Sequence, residues 1–303
     1  MSAELIQLSD ALAQATHQAA ASAVAVHTET RGSSSGVIWR PGIIVTSEYA
    51  LRRDEEIQVT LPDGRAVAAT LVGRDPSTDL AVLKCAEAGS HPTELGDTAI
   101  LKPGSITLVV GRTRASGPVA ALGIVSLVVA ERRTWTGSGL APYVRLNVSL
   151  QPTASGGAVV NAQGRVIGLA TARFARLGAI VIPVTTVNRV VDTLLQKGRI
   201  PHGYLGIGLQ PVRLPEELRY SLQREESTAA IVLEVEPGGP AQKAGIVIGD
   251  ILISLAGKSV KHLEDVQAEL HTNIGKTLAA KIVRGGVARD LNVVVAERAD
   301  RSE

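Results

Sequence analysis

Ser155 is the residue whose surroundings most suggest chemistry, because it lies in the glycine-containing run PTASGGAVVN at residues 152–161. A serine hydroxyl attacks a carbonyl only when a nearby base removes its proton, and imidazole suits that task since it titrates near about 6.5. A Ser-Gly-Gly string alone favours a structural turn, because glycine-rich turns between strands are common. The choice between a turn and a nucleophile loop therefore depends on the rest of the chain.

A series of short motifs accompanies Ser155 along the chain from about residue 32 to residue 184. These motifs lie at residues 34–38, 46, 63–65, 73–76, 79–83, 95–97, 123–126, 155–157 and 164–169. Their order and spacing resemble those of the HtrA family of trypsin-like serine proteases. The resemblance implies a mainly β protein: a trypsin-like double β-barrel with its active site in the cleft between the barrels, followed by a PDZ domain.

The resemblance also assigns catalytic positions. Ser155 falls at the nucleophile, and Asp79, in the run DPSTDLAVLK at residues 75–84, falls at the triad aspartate. The family carries its base in a Thr-Asn-Asn-His-Val-Val segment, but this chain reads TSEYAL at residues 46–51 and has Tyr49 at the histidine position. A phenol titrates near about 10, so at neutral pH it donates a proton where a base must accept one. We therefore expect little or no peptidase activity.

The loop before Ser155 departs from the family at two further positions. The resemblance implies an oxyanion hole formed by the backbone amides of Thr153 and Ser155. The family has glycine at the position of Thr153, and asparagine or aspartate at that of Ala154. Because a β-branched residue does not readily adopt positive φ, we expect this oxyanion hole to be strained or collapsed.

Another histidine could take over the role of the missing base. His91 is the candidate, because it shares a barrel with Asp79 and lies in a flexible Ser-His-Pro stretch, although a solvated loop histidine is the commoner interpretation. Two hypotheses follow. The first is a catalytically impaired HtrA-like pseudoprotease that binds peptides or proteins in a chaperone-like or scaffolding role. The alternative is an active serine endopeptidase that uses Ser155 with a non-standard base.

Hydrophobic periodicity divides the chain into three parts. Residues 1–23 predict a helical segment that packs on the body of the protein. Residues 24–198 predict about a dozen short strands, rich in Val, Ile and Thr, and a closing helix over 184–198. Residues 199–303 begin with a linker and form the second domain. The apolar residues at helical spacing in the first segment are Leu5, Leu8, Leu12 and Ala15.

The second domain resembles a PDZ domain of the HtrA kind. The resemblance rests on GYLGI at residues 203–207, on PGGPAQKAGI at 237–246 and on GDIL at 249–252. In such a domain a peptide adds as a strand beside the one that starts at Ile207, and loop amides bind its C-terminal carboxylate. A PDZ domain that only serves packing or assembly is the alternative. The implied peptide-binding residues are Tyr204, Leu205, Gly206 and Ile207 in the loop, with Val266 and Leu270 on a helix over about 262–272.

Composition argues against several other classes of function. The net charge is +2 and aromatic residues make up 2% of the chain, so it has neither a basic field nor stacking platforms for nucleic acid. No set of residues has metal-ligand spacing and no phosphate-binding glycine loop precedes a helix, so we expect no metal and no cofactor. The single cysteine, Cys85, rules out an internal disulfide and is expected to fill the core.

The expected partners are peptides or unfolded proteins, including C-terminal tails bound by the PDZ domain, as in protein quality control. A homo-oligomer is an open possibility, because HtrA relatives often assemble through N-terminal aromatic residues and residues 1–31 contain none. No run of about 18 apolar residues predicts a membrane span, and no leader is evident at the start, so the chain as written predicts a cytoplasmic protein. A periplasmic location is expected instead if a leader has been removed.

Overall fold

The computed structural model describes residues 3–28, 32–51, 56–89, 94–129, 132–133, 139–140, 143–174 and 178–298. The chain forms two compact units. The first, here called the barrel unit, comprises Met1–Glu131 and Ala141–Ile200. The second, here called the C-terminal unit, comprises Arg132–Leu140 and Pro201–Glu303.

The barrel unit contains two closed antiparallel barrels of six strands each. The first barrel consists of β1 (Ala23–Thr28), β2 (Gly32–Arg40), β3 (Ile43–Ser47), β4 (Ile57–Thr60), β5 (Ala66–Asp75) and β6 (Leu80–Lys84), in the spatial order β1-β2-β3-β6-β5-β4. The next strands are β7 (Ile106–Thr113), β8 (Gly117–Val129), β9 (Arg132–Arg133) and β10 (Gly139–Leu140), of which β9 and β10 form a separate pair in the C-terminal unit. The second barrel combines β7 and β8 with β11 (Tyr143–Leu146), β12 (Ala158–Asn161), β13 (Val166–Thr171) and β14 (Ala179–Pro183), in the order β11-β14-β13-β12-β7-β8. The double β-barrel predicted from the sequence is confirmed.

Aliphatic side chains fill the barrels, as the low aromatic content requires. The interior of the first barrel includes Val26, Ile44 and Leu83, and that of the second includes Ile167 and Val181, all essentially inaccessible to solvent. Burying aliphatic side chains of this size stabilises each barrel by about 1.5–3 kcal/mol per residue.

Cys85 packs in the first barrel's core, as predicted. Burial raises the pKa of its thiol.

Two helices pack on the barrels. α1 (Ala3–Ala20) precedes β1, and α2 (Val184–Lys197) follows β14. Helix α2 ends at Gly198, where φ is +70° and the amide donates to the carbonyl of Leu194 at 2.8 Å. A positive φ at the end of a helix favours glycine, which explains the stop at this position.

Helix α1 differs from the expectation that its whole apolar side packs on the protein. Ala15, in its second half, is buried and Leu12 packs against the core, but Leu5 and Leu8 are 57% and 45% exposed. The helix runs directly into β1, so only its last turns reach the barrel strands.

The C-terminal unit is built on a six-stranded antiparallel sheet. Its elements are β15 (Gly203–Tyr204), β16 (Ile207–Arg213), α3 (Glu216–Ser221), β17 (Thr228–Val235), α4 (Pro240–Lys243), β18 (Ile251–Leu255), β19 (Lys258–Ser259), α5 (Leu263–Thr272), β20 (Thr277–Arg284), β21 (Val287–Val294) and β22 (Ala296–Glu297). The spatial order is β16-β17-β18-β20-β21, with β19 paired to β18 and a separate β15-β22 pair. Helix α3, a short helix after Pro215 with two glutamates in its first turn, was not predicted from the sequence.

An ion pair in the C-terminal unit joins a buried carboxylate to a partly exposed guanidinium. The carboxylate of Asp250 is fully buried and accepts hydrogen bonds from Nε and Nη2 of Arg284, at 2.7 and 2.8 Å, and from the amide of Val247 at 2.9 Å. Burial acts to raise the pKa of Asp250, but these hydrogen bonds outweigh it and the pKa lies below its ordinary value. The carboxylate is therefore held in its charged form.

Candidate active site

A cavity of about 420 Å³ brings the predicted catalytic residues together. Ser155, Asp79 and Tyr49 all line it, although they lie on three separate segments of the barrel unit. No histidine lines this cavity among the residues that the structure describes. The sequence resemblance and the geometry therefore point to the same place in the fold.

Tyr49 reaches the cavity from a 3₁₀ turn, Glu48–Ala50, which directly follows β3. Its side chain is 59% exposed, and its backbone amide donates a 2.8 Å hydrogen bond to Oδ1 of Asp79. The backbone at this position is thus fixed against the carboxylate, while the residue lines the cavity and remains largely exposed.

Asp79 is fully buried and has a left-handed backbone, with φ at +57°. A non-glycine residue adopts this conformation only when its surroundings offset the strain. Besides the amide of Tyr49, the hydroxyls of Ser47 and Thr171 donate to Oδ2 of Asp79 at 2.7 and 2.5 Å. Three donors therefore satisfy this carboxylate without any imidazole.

Arg173 provides a cation beside the same carboxylate. Its Nη1 lies 3.7 Å from Oδ1 of Asp79 and forms a close ion pair with Oε2 of Glu48. Its guanidinium carbon lies 5.9 Å from the centre of the Tyr49 ring and 5.7 Å from that of Phe174. Both distances fall in the range of cation–π contacts. Arg173 was not predicted as a site residue from the sequence, because no local motif marks it.

The loop that carries Ser155 forms a second 3₁₀ turn, Pro152–Ala154. The amide of Ala154 donates to the carbonyl of Gln151 at 2.9 Å, and the hydroxyl of Ser35 donates to the carbonyl of Thr153 at 2.6 Å. Thr153 is not among the residues with positive φ. The peptide between Thr153 and Ala154 is thus held at both ends in a right-handed turn, a conformation that a β-branched residue readily accepts.

Backbone contacts fix the nucleophile loop against the first barrel. The amide of Ser35 donates to the carbonyl of Ser155 at 3.0 Å. Gly156 has φ at +82°, and a Cβ at that position would lie 2.3 Å from the carbonyl oxygen of Ser35 and 2.7 Å from the amide nitrogen of Ser47. Only glycine fits this site, because both the backbone angle and the space exclude a side chain.

The histidines that the structure describes lie elsewhere. Nε2 of His27 is 2.9 Å from the hydroxyl of Thr60 in the first barrel, and burial, with a contribution from the charge of Arg114, lowers its pKa. His17 is exposed on α1. His91, the candidate replacement base, lies outside the described residues. The remaining three, His202, His262 and His271, belong to the C-terminal unit.

The predicted carboxylate-binding loop of the C-terminal unit joins β15 to β16. The carbonyl of Leu205 accepts from the amide of Ala241, and the carbonyl of Gly206 accepts from the amide of Glu236, both at 2.8 Å. The amides of Leu205 and Gly206 donate to no backbone acceptor in the described part of the chain. Because the two carbonyls of this loop accept hydrogen bonds within the unit and its two amides have no backbone acceptor there, the loop is suited to binding an anion.

The side chains predicted for peptide binding are clustered in the same unit. Leu205, Val266 and Leu270 are buried in one hydrophobic cluster, and Ile207 packs against it while half-exposed. Tyr204 stacks near Arg298, whose guanidinium carbon lies 5.9 Å from the ring centre. Loop and helix α5 thus border a common apolar region.

Two other expectations concern metals and membranes. Within the described ranges, no three His, Cys, Asp or Glu side chains are grouped so that they could hold a metal ion. No helix in the part of the chain that the structure covers is both long and apolar enough to cross a bilayer.

Family comparisons match one domain in each unit, although the first match runs through residues 132–140, which belong to the C-terminal unit. Residues 34–169 match the trypsin-like peptidase domain family, and residues 231–284 match the PDZ domain family. Paired β-barrels with Ser155 in a cavity, followed by a PDZ domain, define the class of trypsin-like serine proteases that carry a PDZ module.

Comparison with similar proteins points to a smaller group within this class. A DegP-like periplasmic serine endoprotease of Halomonas elongata is 32% identical over 90% of this chain. A crystal structure of a serine endoprotease from Yersinia pestis is 26% identical, covers 95% of this chain and 98% of that one, and has a TM-score of 0.77. An HtrA-type protease, AlgW, with a bound decapeptide is 25% identical over 95% of this chain and 98% of its own, with a TM-score of 0.79. The chain belongs to the HtrA family of trypsin-like serine proteases with a C-terminal PDZ domain, and it spans 58% of the length of the Halomonas relative.

Proposed function

We propose that this chain is an HtrA-type pseudoprotease that binds peptides or unfolded proteins without cleaving them. The observation that carries the proposal is Tyr49 beside Asp79, at the position where the family carries its general base. A protonated phenol does not take the proton of Ser155 at neutral pH. Loss of a triad member typically leaves a rate only about 10³–10⁴ above the uncatalysed reaction, and this remnant needs a working oxyanion hole.

The environment of Asp79 supports the same proposal. In a triad the carboxylate orients an imidazole and stabilises its charged form. Here Ser47, Thr171 and the amide of Tyr49 already occupy the carboxylate oxygens, and Arg173 supplies the neighbouring positive charge. Asp79 therefore has a structural role that does not depend on catalysis.

The 3₁₀ turn before Ser155 is the third support. An oxyanion hole needs the amides of Thr153 and Ser155 to converge on one point. Thr153 lacks the conformational freedom of glycine, and the hydroxyl of Ser35 holds its carbonyl in the right-handed turn. We infer that this loop is not organised to stabilise an oxyanion.

The C-terminal unit, with its PDZ domain, supports the peptide-binding part of the proposal. A peptide that adds beside β16 would place its C-terminal carboxylate at the amides of Leu205 and Gly206. This would allow a chaperone-like or scaffolding role in protein quality control. Since the curated relatives include periplasmic endoproteases, we place the protein outside the cytoplasm in this proposal.

One observation favours the alternative, an active endopeptidase. Ser155 and Asp79 are both present at one cavity, and the similar proteins are named as endoproteases. An active enzyme would need a base other than Tyr49, and His91 is the candidate.

A fluorophosphonate probe and unfolded casein separate the two hypotheses. We expect no covalent labelling at Ser155 and no casein hydrolysis above background, because no group removes the serine proton. Ser155→Ala is the matched control, and it should be indistinguishable from the unchanged protein. Labelling that disappears in Ser155→Ala would overturn the pseudoprotease proposal, and loss of that labelling in His91→Ala would identify the base.

Peptide binding by the PDZ unit is tested with Gly206→Ala. Gly206 has φ at +75°, and an added Cβ would lie 3.2 Å from the hydroxyl of Tyr204, so the loop must distort. We expect peptides with a free C-terminus to bind about tenfold more weakly, measured by fluorescence anisotropy. Gly257→Ala, at a similar φ of +76° with open space around it, controls for backbone strain. Equal affinities for both variants and the unchanged protein would exclude this loop as the carboxylate site.

A further inference from the structure

We propose that the cavity beside Ser155 binds a carboxylate group of a peptide ligand through the guanidinium of Arg173. This inference rests on the proposed function, because it treats the cleft as a binding site and not as a reaction site. The ligand is identified by its chemistry: an acidic side chain or a free C-terminus on an extended peptide.

The position of the guanidinium is the first argument. Arg173 lines the cavity, and its side chain is 31% exposed. Its contacts with Glu48 and Asp79 both use the same nitrogen, Nη1. Arginine has five N–H donors arranged as a planar fork, so Nε and Nη2 keep hydrogen-bonding capacity that these two contacts leave unused. That edge of the fork is suited to bidentate binding of a carboxylate.

The second argument is that the guanidinium is held in place before any ligand binds. The Tyr49 and Phe174 rings lie 5.9 and 5.7 Å from it, and Glu48 anchors Nη1. A side chain fixed in this way loses little rotamer entropy on binding, which is the usual cost of recruiting a flexible arginine. The substitution of tyrosine for the family's histidine therefore creates part of the platform that positions Arg173.

The local charges are the third argument. Asp79 and Glu48 also lie near Arg173, and Nη1 of Arg74 lies 3.7 Å from Oε1 of Glu48. Among the described residues of this cluster, two cations balance two anions, so these groups present no net negative charge to an incoming carboxylate. Asp79 is also fully buried, with its oxygens hydrogen-bonded to three donors.

The rest of the cavity wall suits a peptide. Leu150 and Ala172 contribute apolar surface, and the hydroxyl of Ser155 lies at the same cavity. Ser33 lines the cavity, and its hydroxyl oxygen is buried without a hydrogen-bond partner in the described part of the structure. Rotation about its χ1 angle would offer a further donor to a ligand oxygen.

Anisotropy measurements on the full chain, with acetylated and amidated peptides that differ only by an internal Glu or Gln, test this inference. Blocked ends remove the C-terminal carboxylate that the PDZ loop would bind. We expect the Glu peptide to bind about tenfold more tightly than the Gln peptide, as for a hydrogen-bonded charge pair. Arg173→Ala should abolish this preference, and Arg173→Lys should keep only part of it, because lysine lacks the planar fork.

Arg74→Ala is the matched control. It removes the other cation beside Glu48, which leaves one uncompensated negative charge in the cluster, but Arg74 does not line the cavity and Arg173 keeps its unused donors. The preference for Glu should therefore be reduced in Arg74→Ala but not abolished, in contrast to Arg173→Ala. A Gln peptide with a free C-terminus, tested in the Gly206→Ala background, shows whether an α-carboxylate also binds through Arg173. Melting curves check that each variant is folded.

Two results would overturn the inference: equal affinities for the Glu and Gln peptides, or a Glu preference that survives in Arg173→Ala. Neither result affects the proposed absence of catalysis. Cleavage of the peptides, detected by mass spectrometry and lost in Ser155→Ala, would instead overturn the proposed function, whatever Arg173 does.

Discussion

At the scale of single residues, a buried carboxylate is costly unless donors surround it, and Asp79 accepts hydrogen bonds from three described donors, two at Oδ2 and one at Oδ1. The same atoms that would orient an imidazole in an active relative are engaged with Ser47, Thr171 and the backbone of Tyr49. A histidine placed at position 49 would therefore compete with existing hydrogen bonds for Oδ2. It would also approach the guanidinium of Arg173, whose charge disfavours the imidazolium that forms during catalysis.

This leads to a prediction about restoring activity. We expect Tyr49→His alone to give little casein hydrolysis for two reasons. The loop before Ser155 is unchanged, and the charge of Arg173 still disfavours a protonated imidazole at position 49. The combination of Tyr49→His with Arg173→Ala, Thr153→Gly and Ala154→Asn should give a rate clearly above that of the single variant. Both are measured by the release of labelled peptides from casein, with Ser155→Ala added to each as the blank. A well-folded combined variant that stays inactive would argue against the alignment of Tyr49 with the base.

At the scale of elements, the hydroxyl of Ser35 links β2 to two segments of the second barrel. It donates to the carbonyl of Thr153 at 2.6 Å and accepts from the amide of Arg112 at 3.0 Å. Ser35 is fully buried, so its removal would leave both backbone groups short of a partner in the protein interior.

We expect Ser35→Ala to lower the free energy of unfolding by about 1–3 kcal/mol. Ser34→Ala is the matched control on the same strand, because among the described residues the Ser34 hydroxyl makes a single, long contact, 3.5 Å from the hydroxyl of Thr46. Its effect should be smaller, at about 1 kcal/mol or less. Denaturant titrations compare the two variants, and equal losses would mean that Ser35 does not hold the loop.

Most elements could be predicted from the sequence, because their signals are local. Runs of Val, Ile and Thr between turn residues predicted the barrel strands, and Gly198 marked the end of α2. The partial packing of α1 could not be predicted, because helical periodicity shows which side is apolar but not how much of it meets the barrels.

The candidate site was predictable only in part. Ser155, Asp79 and Tyr49 lie in motifs that resemble the family's, so their positions could be assigned in order along the chain. Thr171 and Arg173 lie more than 90 residues after Asp79, and their contacts with it arise from barrel closure. No sequence pattern encodes such a pairing.

At the scale of the whole molecule, each unit has its own core and its own buried acidic residues. One of those in the C-terminal unit is Asp250, whose folded-state pKa lies below its ordinary value. A depressed carboxyl pKa contributes stability that is present above the unfolded-state value, near about 3.9, and is lost as the pH falls through the folded-state value. The C-terminal unit should therefore weaken in acid below about pH 4.

We expect the amides of β18 and β20 to be less protected from hydrogen exchange at about pH 3 than at about pH 5. These two conditions lie on either side of the ordinary carboxyl pKa, near about 3.9. Asp250→Asn should be less stable at pH 5, by about 1–3 kcal/mol, because an amide cannot replace the carboxylate beside Arg284. Its protection should then change less between the two pH values. If acid reduced the hydrogen-exchange protection equally in Asp250→Asn and in the unchanged protein, Asp250 would not be the responsible group.

The hydrogen bonds of Asp79 have a consequence for how the sequences of protease-like proteins are interpreted. Selection for a correctly folded barrel would act on this aspartate whether or not the chain hydrolyses peptides, since three donors hydrogen-bond to its buried carboxylate. An aspartate at the triad position of a related sequence is then evidence that the barrel folds in the same way. By itself it does not show whether that protein hydrolyses peptides.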